Sequence, residues 1–193
     1  MAQPTPIDQP VDPRALIEAQ VRECYGRVVY SHKTHEKCAD ILLSRLSTIK
    51  LWQIILSSIT TAGFLSIICG SGSVGAILGA VFSTALLVLN AYTKHYDLGE
   101  LAQKHRQAAA DLWLLRETYL ALITDLRVGR ESVEKVTIRR DEILARLHTV
   151  YSGAPSTTSA GYGKAQEALQ KQEEMTFSDA EIDAFLPKEL RKA

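Results

Sequence analysis

LWQIILSSITTAGFLSIICGSGSVGAILGAVFSTALLVLNAYT, residues 51–93, contains no Asp, Glu, Lys, Arg or His and consists of two apolar runs on either side of a Gly-Ser break. The runs, Leu51 to Cys69 and Val74 to Thr93, each approach the ~20 residues that cross a ~30 Å hydrocarbon core at a rise of about 1.5 Å per residue. One such run would suit a buried core helix. Two in direct succession fit a soluble chain poorly, because soluble chains rarely leave so long a stretch without an ionisable group. The stretch predicts a transmembrane helical hairpin, with a soluble buried helix pair as the alternative.

Cys69-Gly70-Ser71-Gly72-Ser73 between the runs suits a tight reversal, since glycine reaches positive φ at little cost, and the two helices are then antiparallel neighbours. In lipid, apolar burial gives helices no reason to associate, so close packing of small residues has to supply it. Ser58, Ala62, Ser66 and Gly70 recur every four residues in the first run, and Gly75, Gly79 and Ser83 do so in the second, beginning with a G-x-x-x-G. These ridges serve contact within one hairpin or between copies. Polar residues form a second pattern: Gln53, Ser57 and Thr60 share one face of the first helix, and Ser83 and Asn90 one face of the second. They are candidates for lining a pore, or else for hydrogen bonding between helices. A single hairpin encloses no channel, so a pore requires a homo-oligomer.

Outside this stretch the chain is strongly polar. Lys37, Arg45 and Lys50 precede the first span, Lys94, Lys104 and Arg106 follow the second, and the connecting loop is uncharged, so both termini are expected in the cytoplasm. The net charge of zero comes from interspersed acids and bases, which argues against a nucleic-acid partner held through a basic face and for salt-bridged helix surfaces. Cys24, Cys38 and Cys69 lack C-x-x-C spacing, and two of them fall in cytoplasmic segments, so no structural disulfide is expected. Residues 1–11 are Pro-rich, with neither a basic start nor an apolar core; they are expected to be disordered and not a signal peptide.

Residues 12–50 predict a cytoplasmic helix. Asp12 caps it, Pro13 takes the first position, and Ile17, Val21, Cys24, Val28, His32, His35, Ala39, Leu42, Leu46 and Ile49 step by threes and fours into the first span. With no Gly or Pro between Gly26 and Gly63, helix and span are expected to be continuous. Residues 94–151 predict a cytoplasmic helical pair. Leu98, Leu101, His105, Ala108, Leu112, Leu115, Tyr119, Leu122 and Leu126 make a bundle or coiled-coil seam that ends at Val128-Gly129, and a helix starting near Arg130 carries Val133, Val136, Ile143, Leu147 and Val150, with Arg140 intruding on its face. Residues 152–193 read as a breaker-rich linker, a short polar helix from Gly163 to Met175, and a last turn opened by a capping box of Ser178 and Glu181. The fold class is thus an all-α membrane protein, a two-helix transmembrane hairpin continuous with long cytoplasmic helices.

The chemistry of an enzyme is missing: no Walker loop, dinucleotide fingerprint, H-E-x-x-H or G-x-S-x-G occurs, and no cofactor is implied. His32, His35, Glu36 and Cys38 place two imidazoles and a carboxylate on neighbouring helix faces, but no second ligand pair accompanies them. They read foremost as side chains packed between helices, and after that as a pH-sensitive gate or a metal site. Arg139 and Arg140 could grip a phosphate, or pair with acidic neighbours.

Several of these stretches together resemble a known family: Tyr30-Ser-His32-Lys-Thr-His35 ahead of the first span, the paired spans, Leu126-Arg-Val-Gly129, Arg139-Arg140-Asp141-Glu142-Ile143-Leu144, Tyr151-Ser-Gly-Ala-Pro155, and Gly161-Tyr162-Gly-Lys-Ala165. Over about Ala15 to Leu169 the chain is similar to the SLATT proteins, bacterial two-transmembrane effector domains of antiphage conflict systems. The resemblance implies a membrane effector in the bacterial inner membrane that oligomerises and forms or disrupts a pore when triggered, beside a nucleotide-producing or nucleotide-sensing partner protein. A passive membrane-anchored coiled-coil scaffold is the alternative function.

Overall fold

The computed structural model describes residues 12–68 and 72–192, and among these every regular element is helical. The order is α1 (Pro13–Ile68), α2 (Gly72–His95), α3 (Leu98–Val128), α4 (Val133–Gly153), α5 (Ser159–Gln170) and α6 (Asp179–Phe185), followed by a 3-10 turn at Lys188–Leu190. The all-α architecture with two paired apolar helices is the one the sequence predicts. Residues 1–11, expected to be disordered, and Cys69, Gly70 and Ser71 of the expected turn lie outside the described residues.

Local chemistry sets most boundaries. Asp12 Oδ1 accepts the Arg14 N–H at 2.9 Å and so caps α1, while Pro13 fills the first helical position, where its missing N–H costs nothing. At the end of α3, Gly129 takes φ +74, and Gly129 N and Arg130 N donate back to Leu126 O and Asp125 O at 3.2 and 3.1 Å. That left-handed closure satisfies two terminal carbonyls and favours glycine. Ser132 caps α4, and Ser178 and Glu181 form a full reciprocal capping box on α6. The polar helix expected from Gly163 instead begins at Ser159, because the Thr158 hydroxyl accepts the Gly161 N–H at 3.1 Å; what reads as linker contains a helix cap.

The two sides of the hairpin meet their polar helices differently. α1 is one uninterrupted helix, whereas α2 and α3 are separated at Tyr96-Asp97. There Leu98 N bonds to Tyr96 O rather than to a carbonyl four residues back, and Asp97 Oδ1 accepts the Glu100 N–H at 2.8 Å as the cap of α3. The seam of α3 shifts phase beside this break: Leu101 stands 37% exposed, and Ala102 takes the buried position.

Contacts divide the chain into two units, Met1–Lys37 with Ala108–Ala193, and Cys38–Gln107. The first has a conventional apolar core, in which Val21 and Val28 of α1 meet Leu112, Leu115, Tyr119, Leu122 and Leu126 of α3 and Val136 and Ile143 of α4. Each such side chain, fully buried, contributes about 1.5–3 kcal/mol. Burial, with the Cys24 thiol beside it, pushes the Tyr119 phenol up to about 12. His32 Nδ1 lies 2.8 Å from Ala109 O, with Glu36 on its other nitrogen at 3.7 Å, so this ring is taken up by packing and hydrogen bonds between α1 and α3. Arg140 donates to Gln20 at 2.7 Å and to Asp141, and Arg139 to Glu131 and Asp125, which accounts for both guanidiniums through protein partners.

The C-terminal residues of this unit are held by charge. Glu174, between Glu173 (φ 52) and Met175 (φ 73), pairs with the buried Lys33 and with Lys37 at 2.9 Å. Two non-glycine residues in the left-handed region are costly and persist only where the contacts between them hold the turn. Burial disfavours the Lys33 ammonium, yet the hydrogen bonds it donates to Glu174 and Glu36 leave its pKa raised, and Lys33 and Lys37 hold the Glu174 carboxyl below its usual range.

Candidate functional site

In the second unit, α1 beyond Lys37 and α2 form the hairpin. Both are long and apolar enough to cross a membrane, and only 6% of either apolar window is buried. A core helix of a soluble protein is mostly buried, and these windows are not. Ile54, Phe64, Leu65, Ile68, Ile77, Leu87 and Val88 all stand more than half exposed. Trp52, Tyr92 and Tyr96 cluster at the polar end, where amphipathic rings suit a headgroup region, and Tyr92 and Tyr96 touch with centroids 5.0 Å apart.

The helix contact follows a stripe stepping by threes and fours. On α1 it runs through Gln53, Leu56, Thr60, Gly63 and Ser66, and on α2 through Gly75, Gly79, Phe82, Leu86, Leu89 and Thr93, with Ile55 and Ala85 half-buried beside it. At its centre the backbones nearly touch: a Cβ on Gly63 would stand 3.3 Å from Gly75 O and from Gly79 Cα, and one on Gly75 would collide with Ser66 Oγ. Of the predicted packing residues, Ser66, Gly75 and Gly79 sit in this contact, Ser58 and Ala62 face outward, and Gly70 lies outside the described residues. Gly63 was missed. Its signal was available, as a glycine in mid-helix costs about 1 kcal/mol relative to alanine unless a close approach requires it.

The pore-lining candidates separate in the same way. Gln53 Nε2 donates to Asn90 Oδ1 at 2.9 Å and lies 3.4 Å from Thr93 Oγ1, so these two candidates join the helices at the polar end. Thr60 Oγ1 donates to Leu56 O at 2.8 Å within its own helix. Ser57 and Ser83 are on the exposed surface. Ser83 also borders a groove of about 440 Å³ with Gly79, Ala76, Ala80, Thr84 and Phe64, in which a Cβ on Gly79 would meet nothing within 4 Å. The small residues of α2 thus serve two sides: Gly75 packs inside the hairpin, and Ala76, Ala80 and Ser83 leave an outward depression.

The profile of one protein family, described as SMODS and SLOG-associating 2TM effector domain family 4, matches residues 17–181. No curated protein and no solved structure matches.

Proposed function

We propose, from the premise that this chain belongs to the SMODS and SLOG-associating 2TM effector (SLATT) family, that it is the membrane-permeabilising arm of a bacterial conflict system. Membership makes it a two-transmembrane effector domain associated with such systems. In the proposal, copies assemble in the inner membrane with both termini in the cytoplasm, and a nucleotide signal or a nucleotide-handling partner protein triggers them to form or disrupt a pore. The carrying observation is the hairpin surface, apolar and unburied around its girth but interrupted by the exposed residues Ser57, Ser83 and Asn90. In a ring of hairpins the lipid-facing sides stay apolar, and the hydroxyl and amide positions supply the few polar groups that water needs along a path.

The test is release of dye from vesicles containing the purified chain, with a nucleotide-producing or nucleotide-sensing partner protein supplied as trigger. Release is expected, and Ser57→Leu combined with Ser83→Leu should slow it severalfold without preventing insertion, because an apolar lining dewets. Sealed vesicles under triggering, together with an intact membrane potential during induced expression in cells, would instead favour a passive membrane-anchored scaffold.

A further inference from the structure

The first unit contains a cleft of about 300 Å³ that the hairpin chemistry does not use. It lies where α1, the end of α4, the connection after it and α5 meet, and three tyrosines, Tyr30, Tyr151 and Tyr162, border it. Tyr30 and Tyr162 are stacked, with centroids 6.0 Å apart and an interplanar angle of 28°. Two of the three phenols are fixed in place: Tyr30 accepts from Gln170 Nε2 at 2.7 Å, and Tyr151 shares a 2.8 Å hydrogen bond with Ser31. Tyr162, held on α5 by the Thr158 cap below it, keeps 51% of its surface open. Ser156 and Thr157 of the connection add hydroxyl residues to the lining.

Three features choose a ligand. No Lys, Arg, Asp or Glu lines the cleft, and its one imidazole, His35, is only 3% exposed, so the cleft offers a phosphate or carboxylate no permanent cation and a metal ion no carboxylate. The stacked rings are too close for anything to enter between them, so they are not the separated walls of a cage for a quaternary ammonium. The volume is at the small end for organic-ligand sites and suits one ring system rather than an extended peptide. We propose that this cleft binds the uncharged heteroaromatic ring of a nucleoside-type ligand, stacked on Tyr162 and hydrogen-bonded at its edge by Ser156 and Thr157. Any phosphate on such a ligand projects out of the cleft. The assignment names a ligand class for the trigger in the effector reading and rests on that reading for its biological meaning.

The experiment measures binding of adenosine, guanosine, cytidine and uridine to the full-length chain in lipid nanodiscs, by calorimetry and by saturation-transfer NMR. Saturable binding of at least one nucleoside is expected, weakened about tenfold or more in Tyr162→Ala and within about twofold of the parent in Tyr162→Phe, because stacking needs the ring and not the hydroxyl. Tyr162 is half exposed, so the alanine variant should keep its helical circular dichroism, and Ser156→Ala gives a second, milder loss. Failure of all four nucleosides to bind, binding indifferent to Tyr162→Ala, or saturation by choline or a proline-rich peptide in their place would each overturn the assignment. Since no leakage is measured, a failure here is distinct from a failure of the pore reading.

Discussion

The Tyr119 bundle and the hairpin are built from the same element under opposite rules. In the bundle, Leu112, Tyr119, Leu122 and Leu126 are at most 1% exposed, although Trp113, Leu114, Ile138 and Leu144 remain on its outside. In the hairpin, Leu87, Val88 and Ile54 stand more than 60% exposed, and the contact face holds Gly63, Gly75, Gly79 and the pair Gln53 and Asn90. The difference teaches that hydropathy alone does not locate a core. Where water is the solvent, large apolar side chains drive association; where lipid is, they are indifferent to it, and small residues and hydrogen bonds decide which faces touch.

That contrast can be broken most forcefully at Leu112. Leu112→Asp places a carboxylate in the sealed bundle core and should cost about 3–5 kcal/mol, seen as loss of the cooperative thermal transition in detergent while membrane insertion persists. Gly63→Leu comes next. Its side chain would press on the backbones of Gly75 and Gly79, which cannot rotate away as a side chain could, and about 1–3 kcal/mol of overpacking should separate the hairpin; crosslinking between engineered cysteines on the two spans measures this, with Gly79→Ala as the tolerated control.

Glu174→Gln is expected to remove about 1–3 kcal/mol from the attachment of the C-terminal residues, visible as faster proteolysis after Gln170. The parent should reproduce the effect in acid. Because pairing with Lys33 and Lys37 holds the Glu174 carboxyl low, its contribution is complete above the ordinary carboxylate range and fades as pH falls through the depressed value. Gln53→Leu should cost only about 0.6 kcal/mol, the usual worth of one hydrogen bond between membrane helices, read as a small loss in the same cysteine crosslinking. Leu87→Ala, facing lipid, should leave both assays within error; a cost near that of a core leucine would mean that α2 buries this face against something else.

Much of the bundle was legible because a seam in water leaves a period in the sequence. Leu98 to Leu126 marks α3 nearly residue by residue, and Ser178 with Glu181 marks the start of α6. The break at Tyr96-Asp97 was not anticipated, since the apolar positions continue across it; its trace is the capping carboxylate of Asp97 three residues before Glu100. The start of α5 was hidden in a run of hydroxyl residues that serve equally well in a linker and in a cap. On the hairpin, counting small residues every four positions found Gly75 and Gly79 but passed over Gly63, because two antiparallel helices touch along a stripe of alternating threes and fours.

Tyr119 carries one more consequence, optical in kind. A phenol that ionises only near 12 while the bundle is closed, but near 10 once its chain is unfolded, keeps its proton in the native state through a window of alkaline pH where the unfolded chain has already released it. Stability conferred by this residue is therefore whole below pH ~10 and drains away as the pH climbs toward 12. Phenolate absorbs in the near ultraviolet where phenol does not, so an alkaline titration should show accessible tyrosines rising at pH ~10 and a separate, later rise from Tyr119 toward 12. The gap between the two rises reports that the bundle is closed, read from the protein's own chromophore without any label.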